Sequence, residues 1–319
     1  MPYRVGIVGA ARRHQGTGPY VARTFNQLGH EIIGVVGTSH DSVTDAITTL
    51  ANQYEIHTRG YTSLHALLED QSIDILAICS PPSTHLQYLD EALDHGLQIF
   101  CEKPLWWPLN KPAEFNFEQY ENTLLTLIDR AHRYRRIIHV NTQWPYTLRD
   151  FFKLYPAAMT TSGKLEQFAM HLCPQSRGPQ MLVDAASHGL SMLYQLAGAG
   201  DLADISCEKT PASDFERLTV RFNYIHTAGT TGVTFGLTNT LETPKPASYQ
   251  INGYSVNRIV ALPGYQIQLQ SDHSTIDIMD PLETSVRDFI ANIEADLECD
   301  TSTLILGTKH LYSLIDACR

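Results

Sequence analysis

The sequence predicts an α/β protein in two parts: a doubly wound parallel sheet, then an α+β domain with an open-faced, mainly antiparallel sheet. Short apolar runs alternate with helical periods up to about residue 145, the signature of strands joined by crossover helices. The first run, Val5-Gly-Ile-Val8, opens into a glycine turn before a helix, an arrangement that builds an anion site. From about residue 215 apolar and polar positions alternate, punctuated by Gly, Pro and Asn, which reads as antiparallel strands.

In chain order, strands are expected over 3–9, 31–36, 73–79, 97–101 and 137–141, with helices near 19–28, 42–54, 63–70, 83–95 and 118–135. Runs such as Ile73-Asp-Ile-Leu-Ala-Ile-Cys79 alternate little, as parallel strands covered on both faces do. Trp144-Pro145 marks the expected boundary, giving domains over 1–144 and 145–319. The second carries a helix over 181–197, strands over 215–225, 231–241, 247–252, 256–261, 265–270 and 274–278, and closing helices over 281–297 and 302–317. With 319 residues there is chain enough for two cores. An uncovered apolar sheet face is rare on a monomer, so a homodimer or homotetramer through this sheet is expected.

Composition narrows the partners. A formal charge of -11 opposes nucleic acid and anionic membranes, which demand a basic face. The one basic run, Arg130-Ala-His-Arg-Tyr-Arg-Arg136, ends a predicted helix, where cations offset the dipole. Six cysteines, at 79, 101, 173, 207, 299 and 318, have no metal-ligand spacing and suggest no disulfide framework. The chain opens directly on a strand, and no apolar stretch reaches bilayer length, so a cytoplasmic location without membrane association is expected.

The turn itself reads Gly9-Ala-Ala-Arg-Arg-His-Gln-Gly-Thr-Gly-Pro19. Gly9 suits the sharp bend, but Ala11 and His14 stand where a dinucleotide fingerprint has its further glycines. Gly18-Pro19 then starts the helix after an enlarged loop. The second strand ends in Gly37-Thr38-Ser39-His40, with no carboxylate before Asp41. An acid there would hold a free ribose 2'-hydroxyl. Without it, Thr38 and Ser39 can donate to a 2'-phosphate that Arg12 or Arg13 neutralises, so NADP is preferred over NAD. Solvated arginines, with Asp41 reaching the ribose, would leave NAD as the cofactor.

Three further stretches carry chemistry: Asp74-Ile-Leu-Ala-Ile-Cys-Ser-Pro-Pro-Ser-Thr-His85, Ile99-Phe-Cys-Glu-Lys-Pro104 and Asp184-Ala-Ala-Ser-His188. Lys103 follows a parallel strand at its carboxyl end, where ligands bind in such sheets. Its ammonium can stabilise negative charge on a substrate oxygen. Asp184 and His188 lie four apart on one helix face, and the imidazole suits proton exchange near neutral pH.

Taken with Gly9, these stretches resemble the glucose-fructose oxidoreductase / inositol dehydrogenase (Gfo/Idh/MocA) family across nearly the whole chain. The resemblance implies an N-terminal Rossmann domain holding NADP or NAD and a second domain carrying the substrate site. It places Gly9 and Ala11 of the turn, the Ser80-Pro81-Pro82 loop with His85, and Glu102-Lys103 beside the cofactor. Lys103, Asp184 and His188 become the catalytic set of an NAD(P)-dependent oxidoreductase, without a metal, acting on a carbohydrate, cyclitol or related carbonyl compound. A redox-neutral glycosidase-like cycle on the same bound cofactor, and a dinucleotide-sensing regulator without catalysis, are the alternatives. Leu105-Trp106-Trp107-Pro108, the apparent insertion through Phe117, and Trp144 and Tyr146 depart from the family pattern. Those aromatics either fill the core or border the substrate.

Overall fold

The computed structural model describes residues 1–11, 16–108, 116–158, 164–211, 214–262, 265–297 and 301–318. They divide into two compact units, Met1–Asn141 with Leu282–Thr301, and Thr142–Pro281 with Ser302–Arg319.

In the first unit, strands β1 (Arg4–Val8), β2 (Glu31–Val36), β3 (Arg59–Tyr61), β4 (Ile75–Ile78), β5 (Gln98–Glu102) and β6 (Ile138–Asn141) form one sheet. Its order is β3-β2-β1-β4-β5-β6, and every neighbouring pair is parallel. The order reverses between β1 and β4, so the carboxyl ends of these two strands flank the crevice where open α/β sheets bind ligands. The crossovers are helices α1 (Gly18–Gln27), α2 (His40–Tyr54), α3 (Leu64–Asp70), α4 (His85–Asp94) and α5 (Phe117–Arg133). Ser39 and Ser42 close a capping box at the start of α2, and Asn116 caps α5. The basic run ends α5 as expected, with Arg130 bridging to Asp90 and Asp94 on α4.

The expected split into 1–144 and 145–319 is corrected by α8 (Pro281–Glu294). Its stripe of Leu282, Val286, Phe289 and Ile290 is buried with Val5, Ile7, Phe25 and Phe100 in the core of the parallel sheet. Phe25, Phe100 and Phe289 meet with centroids 5.6–6.4 Å apart, edge-on or tilted as aromatic quadrupoles prefer.

The second unit holds α6 (Leu148–Leu154), β7 (Gln167–Leu172), α7 (Gln180–Ala197), strands β8 (Gly200–Thr210) to β14 (Thr275–Ile278), and α9 (Thr301–Ala317). Between the last two strands named lie β9 (Arg217–His226), β10 (Gly229–Thr238), β11 (Ala247–Ile251), β12 (Tyr254–Ala261) and β13 (Gln266–Gln270). The sheet order is β14-β13-β12-β11-β7-β10-β9-β8. Its pairs are antiparallel except β7 with β10, which run parallel. Alternation along β9 buries Leu218, Val220, Phe222 and Tyr224, a period-two face. The opposite face presents Thr219, Arg221, Asn223, His171, Asn257 and Gln268, with Ile225 and Ile259 as exposed large apolar members. The apolar face from which a partner was expected is therefore the one turned inward.

One cysteine expectation is overturned. Cys207 of β8 and Cys318, just beyond α9, form a disulfide with Cα atoms 5.6 Å apart. Two residues separated by 111 positions give no local signal of pairing. Cys79, Cys101 and Cys173 are buried thiols outside this bond.

Candidate active site

Gly9 ends β1 with φ +85°, and a Cβ there would lie 2.7 Å from Ser80 N and 2.8 Å from the Cys79 carbonyl. Only glycine lets the ends of β1 and β4 approach this closely. Gly18 does the same for the helix, since its Cβ would stand 2.7 Å from Ala10 Cα. The turn thus keeps the bend and the helix-packing glycine of a dinucleotide fingerprint, spread over a longer loop. Thr17 makes no side-chain cap for α1, whose first turn holds Pro19, so among the described residues its amide dipoles remain open to an anion. Ala11, half-buried, follows the bend. Arg12 and Arg13 lie outside the described residues. At the end of β2, Thr38 and Ser39 are exposed, and the Ser39 hydroxyl accepts from Ser42 N at 3.2 Å as the helix cap.

The loop after β4 is braced from within. Ser80 is buried, with its Oγ 2.7 Å from Thr84 Oγ1, and Thr84 Oγ1 donates to the Pro81 carbonyl. Pro81 itself is exposed. His85 is fully buried, with Nε2 2.9 Å from Ser80 O and Nδ1 3.1 Å from Leu105 O. A side chain whose two nitrogens both meet backbone carbonyls ties the Ser80 loop to the segment after Pro104.

Glu102 ends β5 and is buried, its Oε1 accepting from Asn141 Nδ2 at 2.6 Å. Asn141, paired with it across β5 and β6, is fully buried, and its Oδ1 has no hydrogen-bond partner among the described residues. Such an atom asks for a polar ligand. Asn141 was overlooked, although a polar residue ending a predicted parallel strand is a readable signal. Lys103 follows, half-buried, joined to Pro104 by a cis peptide.

In the second unit, Asp184 and His188 share the half-buried face of α7, while Leu182, Ala185, Ala186 and Gly189 are buried around them. Gln180 Nε2 donates to Asp184 Oδ1 at 3.0 Å. His188 Nδ1 lies 2.7 Å from Thr142 O. A carbonyl only accepts, so the proton sits on Nδ1 and Nε2 is left as the proton acceptor. Thr142 O also accepts from Trp144 N at 2.8 Å, and Gln143 between them has φ 63° and ψ -51°. This is the rare, strained form of the three-residue turn, and it fixes the carbonyl that orients His188. No local pattern of residues signals this backbone contact.

Among the departing aromatics, Trp107 and Trp144 are buried. Trp106 stacks on Tyr120 with centroids 4.4 Å apart and donates Nε1–H to Ser83 O. Trp144 meets His188 and Tyr249 with centroids 6.3 and 5.9 Å away. Trp106 packs within the first unit, and Trp144 beside the candidate acid–base histidine.

Residues 3–116 match the GFO_IDH_MocA family model, an oxidoreductase family with an NAD-binding Rossmann fold. The uncharacterized oxidoreductase YrbE of Bacillus subtilis is 32% identical over 111 residues, covering 34% of this chain and 30% of that protein. The match thus spans less than a third of the relative's length. Among solved structures, myo-inositol 2-dehydrogenase from Lactobacillus plantarum aligns with a TM-score of 0.73 at 15% identity, over 100% of this chain and 97% of that one. UDP-N-acetylglucosamine 3-dehydrogenase from Acidithiobacillus ferrooxidans aligns with a TM-score of 0.71 at 16% identity, over 99% and 98%. At such identities the likeness is one of fold. Residues 3–116 thus carry the likeness to the Gfo/Idh/MocA oxidoreductases and their NAD-binding Rossmann fold.

Proposed function

We propose that this protein is an NAD(P)-dependent oxidoreductase moving hydride between nicotinamide and a carbohydrate, cyclitol or related carbonyl or hydroxyl compound. The observation that most supports this is the carboxyl edge of the parallel sheet, where Gly9, Ser80 and Glu102-Lys103 end or follow β1, β4 and β5. The glycine approach, the open first turn of α1 and the orphaned Asn141 Oδ1 fit a dinucleotide. When bound, that cofactor supplies the hydride donor or acceptor. Thr38 and Ser39, exposed at the end of β2 without a neighbouring acid before Asp41, favour NADP by donating to a 2'-phosphate.

Lys103 hydrogen-bonds the substrate oxygen and stabilises charge developing on it. His188, its Nδ1 proton committed to Thr142 O, takes or returns the hydroxyl proton at Nε2. Asp184 orients the group it faces. The fold shared with two enzymes of polyhydroxylated substrates supports that substrate class.

Fluorescence titration with NADPH and NADH tests the cofactor, and a panel of polyols and ketoses with the tighter-binding form tests the reaction. Lys103→Ala and His188→Ala are expected to lower turnover by about two orders of magnitude or more while leaving cofactor affinity unchanged. Wild-type turnover in both variants would remove the mechanism.

A further inference from the structure

Arg258 lies on β12 opposite Ala247 of β11 and Leu269 of β13, on the sheet face that buries Val256 and Tyr249. Its neighbours there, Ala247, Tyr249, Val256 and Leu269, are buried. The guanidinium carbon sits 5.3 Å from the Trp144 ring centroid, and Nη2 donates to Lys245 O at 3.1 Å. Its Nε is buried with no hydrogen-bond partner, and no salt bridge engages it among the described residues. Burial works against its charge, with Tyr265 and Asp280 the groups nearby that favour it. A half-buried cation whose Nε is enclosed and which has no paired anion is costly to keep, and packing alone would be served better by an apolar side chain. The same indole that carries the guanidinium on its ring also meets His188 edge-on.

We infer that Arg258 is a substrate-recognition residue for an oxyanion, a carboxylate or phosphate borne by the polyhydroxylated substrate. The inference rests on the reading of His188 as the substrate-side acid–base group. The terminal guanidinium N–H groups not spent on Lys245 O supply the charge-assisted hydrogen bonds that an oxyanion needs. Trp144 meets both the guanidinium and the His188 ring, so Arg258 sets which end of the substrate reaches His188. Neutral polyols would leave the guanidinium unpaired and bind less well.

Isothermal titration of the full chain with D-glucose, D-glucuronate and D-glucose 6-phosphate at low salt tests this. At least one of the two anionic probes is expected to bind about tenfold or more tightly than glucose, and the tighter of the two identifies carboxylate or phosphate as the group. Arg258→Met should erase that preference while glucose binding stays unchanged. Arg258→Lys, which keeps the charge but loses the fork, should retain part of it even if the methionine variant folds poorly. Equal affinity for neutral and anionic probes, or a preference surviving in a folded Arg258→Met protein, overturns the assignment. His188→Ala should retain the preference. Anion preference without turnover of any compound would therefore leave Arg258 standing and the oxidoreductase reading fallen.

Discussion

His139 stacks on Phe100 with centroids 5.4 Å apart and meets Ser285 Oγ at 2.9 Å, and burial lowers its pKa to about 4. His310, 2% exposed and 2.9 Å from Tyr194 Oη, is likewise lowered to about 4, chiefly by burial. In the unfolded chain both titrate near the ordinary 6.5. Between these values the unfolded chain binds protons that the folded one refuses, so stability falls as pH drops from about 6.5 to about 4 and this contribution levels off below that. Melting followed by circular dichroism across this range should show the midpoint falling, and the His139→Asn, His310→Asn double variant should fall less steeply. An unchanged slope in the double variant would dismiss these histidines as the cause. At this scale Lys103, Asp184 and His188 were readable from residue type and spacing. The Thr142 carbonyl that His188 meets was not, since a backbone acceptor is placed by the folded chain alone.

Gly189 decides how α7 seats on its sheet. A Cβ there would lie 2.5 Å from two carbons of the Phe235 ring on β10, and that ring is 2% exposed with no room to retreat. Gly189→Ala is expected to cost about 1–3 kcal/mol, as overpacking does, measured by urea denaturation. Its neighbour His188 should lose its Thr142 contact, so turnover should fall further than stability explains. Wild-type stability and activity together would show that the helix shifts freely. The parallel strands and crossover helices were legible because burial on both faces leaves continuous apolar runs. Three strands were missed for different reasons. β3 has only three residues. β8 pairs with β9 alone at the sheet edge and carries Asp201, Asp204, Glu208 and Lys209, so its period is swamped by charge. β7 is six residues long, and its parallel match to β10 is a long-range fact without a local signature.

The Cys207–Cys318 bond joins the edge strand of the second sheet to the end of the chain. Closing a loop of this length removes unfolded-state entropy worth about 4–5 kcal/mol in the chain model. Dithiothreitol should therefore lower the melting midpoint of the wild type, and Cys318→Ser should melt at the lowered midpoint with or without reductant. A reductant-insensitive wild type with two additional alkylated thiols would show the bond contributes nothing. The order of the two sheets along the chain was legible from the change in periodicity. The return of α8 to the first sheet was not, because an amphipathic stripe tells that a helix is covered and not by what.

That return has a practical and evolutionary side. The chain crosses between units after Asn141, after Pro281 and after Thr301, so no single cut separates them. A fragment ending at Asn141 would be born with Phe25 and Phe100 stripped of Phe289. Grafting a new substrate half onto this cofactor half takes two excised stretches and a retained middle piece. Gene shuffling with one breakpoint would yield insoluble chimaeras, and diversification is channelled instead into point changes and loop insertions.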